Sequence, residues 1–125
     1  MQELVKTRLV QAQEALEEAR ALLVEGAELN FVINSLYYAF LHPILGLLRA
    51  RRLETPMQSS AIALFEREFG RTAGFDRRFI DALRRAFELK PSCECKGQKA
   101  VTRRDIEELL PVAQDFLVWV RDAAG

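Results

Sequence analysis

The sequence predicts an all-α fold, an antiparallel up-and-down bundle of four to five helices. Three observations carry that expectation. Apolar residues recur at three- and four-residue steps through successive segments. No stretch shows the sustained alternation of a half-buried strand. Glycine or proline stands at each break, at Gly26, Pro56, Gly74 and Pro91.

Residues 3–25 place Val5, Leu9, Ala12, Leu16, Ala19 and Leu23 at alternating four- and three-residue steps, one apolar stripe of a helix packed on others. Glu14, Glu17, Glu18 and Arg20 are expected on the opposite face, and Gly26 ends the helix. A second helix over 29–51 is apolar nearly all round and should be the central, most buried element. It ends in Arg49, Arg51 and Arg52, cations that suit a helix C-terminus. Pro43 lies inside it, has no N–H for the Ala39 carbonyl, and should kink it. A third helix over 56–71 turns Ala61, Leu64, Phe65 and Phe69 inward, and Thr72-Ala73-Gly74 breaks it. A fourth over 76–89 turns Phe79, Leu83, Ala86 and Phe87 inward. A polar loop from Pro91 leads to Thr102 and Asp105, a capping arrangement with acid in the first turn. The last helix carries Ile106, Leu109, Leu110, Ala113, Phe116, Leu117 and Val120, with Pro111 either bending it or marking a late start.

The chain has 125 residues, enough for one domain over 1–125 with a core of its own. Half its residues are hydrophobic and 29% are charged, the profile of a soluble protein. Its 18 basic and 18 acidic side chains cancel, which removes the global electrostatic argument for nucleic-acid binding. The N-terminus lacks a signal-peptide layout, and polar residues interrupt the apolar run over 31–48, so we expect a cytoplasmic protein with no membrane span. Cys93 and Cys95 flank a single residue, and with one distant histidine they fall short of a four-ligand zinc site. No metal and no cofactor is expected, and the cysteines read as free loop thiols.

The segment Asn34-Ser35-Leu36-Tyr37-Tyr38-Ala39-Phe40-Leu41-His42 is the oddest in the chain. It puts two tyrosines, an asparagine and the one histidine into a helix that should be buried. Each buried polar group needs a partner, because leaving one unpaired costs about 1–3 kcal/mol. Helical spacing sets Ser35, Tyr38 and His42 on one face, and Asn34, Ser35, Tyr38 and His42 are the candidate ligand-binding residues.

This segment resembles the HEPN superfamily, where the corresponding stretch often pairs Tyr-Tyr-Ala with a preceding arginine and a following histidine. Three further stretches resemble the family in the same order: EALEEARALLVEG at 14–26, SSAIALFEREF at 59–69 and RRAFELK at 84–90. The resemblance covers roughly residues 10–120. It implies a small helical bundle that commonly dimerises, is often paired with a minimal nucleotidyltransferase, and occurs in toxin–antitoxin and defence systems. Some members cleave RNA without metal, using an arginine and a histidine a few residues apart. The imidazole moves the ribose 2′-hydroxyl proton and the guanidinium stabilises developing phosphate charge.

Carried over residue by residue, that pair is broken here. Ser35 stands at the arginine position ahead of His42, and serine has no charged fork of donors. At the second possible location the pair falls on Lys90 and Cys95, and Gln58 replaces a frequent family histidine. The resemblance thus implies a degenerate, non-catalytic dimeric module that binds nucleotide, RNA or a partner nucleotidyltransferase. The competing expectation is an active ribonuclease toxin with His42 as acid/base and Lys90, or an arginine of a second subunit, as the cation.

Overall fold

The computed structural model describes residues 2–53, 57–72, 74–91 and 100–124. Among them are five helices and no strand: α1 (Gln2–Glu25), α2 (Leu29–Ala50), α3 (Gln58–Phe69), α4 (Arg78–Leu89) and α5 (Arg103–Ala124). This is the all-α bundle the periodicity predicts.

Glycine closes α1 as expected. Gly26 takes φ +77°, Ala27 N–H donates to the Leu22 carbonyl at 3.0 Å, and Gly26 N–H donates to Leu23 at 3.2 Å. That pair of bonds is a Schellman stop. The short link to α2 folds it back antiparallel on α1, so Arg8 meets His42 while Leu4 and Arg8 lie against Gly46. The end of α2 repeats the device with a less suitable residue. Leu53 N–H reaches the Leu48 carbonyl at 2.8 Å and Arg52 N–H reaches Arg49 at 2.9 Å, with Arg52 itself at φ +61°.

α2 is the central helix. Val32, Ile33, Leu36, Tyr37, Phe40 and Ile44 are fully buried, and α1, α3, α4 and α5 all pack on it. By length and composition α2 could cross a membrane, yet most of it is covered by the other helices. Helical structure continues through Pro43, and through Pro111 in α5, which starts at Arg103 and so has no late start.

Capping sets the later boundaries. Thr102 N–H donates to Asp105 Oδ2 at 2.8 Å and Asp105 N–H donates back to Thr102 Oγ1 at 3.2 Å, the reciprocal cap expected at the head of α5. α4 starts two residues later than the apolar spacing suggests, because the Asp76 carboxylate accepts the Arg78 N–H at 2.9 Å and stays outside the helix. α3 runs from Gln58 and stops before Gly70, shorter at both ends than expected.

An aromatic cluster joins α3, α4 and α5. The Phe65 ring lies 5.8 Å from Phe116 and 5.2 Å from Phe69, Phe79 lies 5.3 Å from Phe116, and Trp119 stands 5.1 Å from Phe75. Phe40 of α2 reaches the same cluster at 5.6 Å from Phe116. Ile62, Ile80 and Leu89 are core residues the periodic reading omitted, whereas Leu9, Leu23, Leu64, Phe87 and Leu110 are only half-buried.

Ion pairs lace the outside of the α3–α5 side. Arg77 and Arg84 both bond Glu66, the former at 2.9 Å, and Arg85 bonds both Asp105 and Glu108, the latter at 2.8 Å. These partners hold the Glu66 and Asp105 carboxyls below their usual range, the side-chain bonds from arginine being the largest cause. Exposed pairs of this kind each contribute about 0–1 kcal/mol.

Candidate functional site

A groove of about 500 Å³ runs between α1 and α2. Its α2 wall is Phe31, Asn34, Ser35, Tyr38 and His42, residues at three-, four- and seven-residue spacing on one helix face. All four candidate ligand-binding residues therefore share one concavity. Its α1 wall includes Gln11, Glu14, Ala15, Glu18 and Leu22. Glu14 and Glu18 were expected on the far face of α1. Both are exposed there, and both also line the groove, where α1 runs alongside α2. Arg20 bonds Gln114 of α5 at 2.9 Å.

His42 stands at one end of the groove, its ring 5.8 Å from that of Tyr38. Its Nδ1 lies 3.0 Å from a terminal nitrogen of the Arg8 guanidinium, 34 positions earlier in the chain. A guanidinium only donates, so Nδ1 is the acceptor and the neutral ring carries its proton on Nε2. Partial burial holds the His42 pKa below its ordinary value, and the nearby Arg8 charge lowers it further. The imidazole is therefore neutral near pH 7. Arg8 also donates to Gln11 at 3.3 Å.

Gly46 permits this contact. It lies one turn beyond His42, and a Cβ there would stand 2.9 Å from Arg8 Cγ, 3.0 Å from Arg8 Cβ and 3.3 Å from the Leu4 carbonyl oxygen. Only a glycine lets the Arg8 stem lie so close to α2.

The remaining candidates lie elsewhere. Tyr37 faces away from the groove and is fully buried, with its hydroxyl donating to Gln58 Oε1 at 2.7 Å, and burial pushes its pKa up. Lys90 sits over the rings of Tyr37 and Phe87, 5.5 and 5.3 Å from their centres, and is not part of the groove wall. The structure thus does not bring Lys90 together with His42 in one cavity. Cys93 and Cys95 lie outside the described residues. Among the described residues no three histidine, cysteine or carboxylate side chains converge as a metal site would require.

Arg8 escaped the sequence reading, as did the role of Glu14 and Glu18. The available signal was Gly46: a glycine inside an otherwise apolar helix marks a close approach of something, though not of what.

A UPF0332 protein of Thermotoga maritima is 26% identical over 106 residues, which cover 85% of this chain and 80% of the relative. No solved structure gives a significant match. The HEPN domain family model matches residues 5–123, nearly the whole chain. On that match, and with five helices in the order and pattern described, the chain belongs to the HEPN domain family.

Proposed function

We propose that the protein is a non-catalytic binding module of its family, working through the α1–α2 groove. In this reading it acts as a cytoplasmic homodimer in a toxin–antitoxin or defence-type system. Its partner is a protein, such as a minimal nucleotidyltransferase, rather than RNA or a free nucleotide.

One observation carries the reading: the charges in the groove are the reverse of what phosphoryl chemistry needs. A scissile phosphate calls for cations placed where charge develops. The groove wall offers two carboxylates, Glu14 and Glu18, and a neutral imidazole whose Nδ1 is already engaged by Arg8. Ser35 supplies no positive charge where the family's nucleases carry arginine.

A second reading has its own support. Arg8 touches His42, so an arginine and a histidine do stand together, brought from two helices instead of one. In that reading His42 is the acid/base and Arg8, in place of Lys90, is the cation of a ribonuclease toxin.

Incubating the pure protein with structured and single-stranded RNA separates the two. The binding-module reading expects no cleavage above that of a His42→Ala variant. Cleavage abolished by both His42→Ala and Arg8→Ala would overturn it in favour of the nuclease.

A further inference from the structure

The Arg8–His42 contact accounts for one end of the groove and leaves the chemistry of the other end unused. Glu14 and Glu18 stand one turn apart on α1, across from Phe31, Asn34, Ser35 and Tyr38 on α2. Neither carboxylate meets a cation among the described residues, whereas Glu66, Asp76, Asp105 and Glu108 each hold an arginine. The side chains of Asn34 and Ser35 likewise make no hydrogen bond to a described residue, although both are partly buried. Phe31 leaves 61% of its surface open at the rim.

Two surface acids alone would be ordinary solvated charge. Here they line a concavity together with two aromatic rings and two unpartnered polar groups, and that combination selects a ligand class. An anion is repelled by both carboxylates. A neutral apolar group would strip water from them with nothing in return. A guanidinium satisfies every group present: carboxylates accept its paired donors, Asn34 and Ser35 offer further oxygens, and ring faces attract the cation. Arg8 lies beyond the His42 end, so the incoming charge belongs toward Glu18 and Leu22.

The surroundings favour a protein as its source. Leu22 and Phe31, the latter 61% exposed, line the groove beside the α1–α2 turn and give its acidic end an apolar border. Arginine, with tryptophan and tyrosine, is enriched among the residues that dominate protein–protein binding energy.

We propose that the α1–α2 groove receives the guanidinium of an arginine side chain presented by a partner protein, held by Glu14 and Glu18 beside the Phe31 and Tyr38 rings. The proposal rests on the reading of this groove as a protein-binding surface.

The test is a titration of the full chain followed by amide NMR, using an acetyl-Ala-Arg-Ala-amide peptide, its citrulline counterpart and spermidine. The arginine peptide should shift resonances of Glu14, Glu18, Asn34, Ser35 and Tyr38 as a saturable set. Losing one charge-assisted bond should weaken binding about tenfold, so the citrulline peptide, Glu14→Gln and Glu18→Gln should each show that loss. Glu17→Gln, on the same helix, should not. Equal binding of the citrulline peptide, or binding that survives both groove substitutions, would overturn the proposal. Spermidine binding more tightly than the arginine peptide would overturn the protein source in favour of a free polyamine. Absence of any shift overturns the arginine site and leaves the non-catalytic reading standing. Cleavage of RNA dependent on His42 overturns the reading on which both rest.

Discussion

Arg8 donates to Nδ1 of His42 at 3.0 Å, joining two helices through residues 34 positions apart. The contact fixes which nitrogen of the ring carries the proton. It also brings an arginine to a histidine in a chain whose local motif lacks one.

Stability should depend on pH through this histidine. Its pKa is lowered in the folded state, first by burial and then by the Arg8 charge, whereas the unfolded value is near 6.5. Protons therefore bind the unfolded chain more readily between the two values. The stabilisation is complete above about pH 6.5 and is lost as pH falls through the folded value. Thermal unfolding between pH 7.5 and 5 should show this slope, and His42→Gln should flatten it. Arg8→Ala should raise the His42 pKa only part of the way back, since burial is the larger cause. A full return to the ordinary value would show that Arg8 was the dominant cause after all.

Arg52→Gly should stabilise the protein. Arg52 occupies the left-handed position of the stop that ends α2, where a side chain costs about 1–2 kcal/mol. Glycine removes that cost but adds freedom to the unfolded chain, so we expect a net gain of about 1 kcal/mol. Urea denaturation measures it as a rise in midpoint at constant slope.

Gly46→Ala runs two effects against each other. Alanine favours the helix by about 1 kcal/mol over glycine. The new methyl would meet Arg8 near its backbone and the Leu4 carbonyl, and overpacking costs about 1–3 kcal/mol. A net loss of about 1 kcal/mol is the expected balance. The loss should shrink in an Arg8→Ala background, and a double-mutant cycle reads the coupling. Additive effects of the two substitutions would contradict the packing described.

Phe65→Ala should come close to unfolding the protein. Phe65 is fully buried and its ring contacts Phe69, Phe75, Phe116 and Trp119. Such truncations cost about 3–5 kcal/mol against a total stability of about 5–15 kcal/mol. Far-ultraviolet circular dichroism during heating checks this, and a small change in melting temperature would mean that the cluster repacks.

Thr102→Ala removes one half of the reciprocal cap on α5 and should cost about 1 kcal/mol. Asp105→Ala should cost more in the same thermal assay, because Asp105 also receives Thr102 N–H and Arg85.

The parts of this fold legible in the sequence are those governed by near neighbours. Val5, Ala12, Leu16 and Ala19 announced the buried side of α1, Gly26 its end, and Thr102 with Asp105 the start of α5. The shared face of Ser35, Tyr38 and His42 follows from helical spacing alone. What the sequence withheld is register. An apolar stripe says which side of α1 faces inward, not which residue of α1 stands opposite His42. Arg8, Glu14 and Glu18 gain their places only when α1 is laid along α2, and that alignment is set by the turn at Gly26 and the clearance at Gly46. The place of Lys90 was withheld for the same reason: its match to a family stretch gave no information about which side of α2 it would occupy.

Gly46 adjoins the cleft without lining it, yet it governs how near the two helices come one turn past His42. It acts as a spacer of zero thickness. A larger residue there would wedge the hairpin from its far end and widen the opening between Glu14 and Tyr38, leaving every lining side chain unchanged. The width of this groove is therefore adjustable from a position outside its lining.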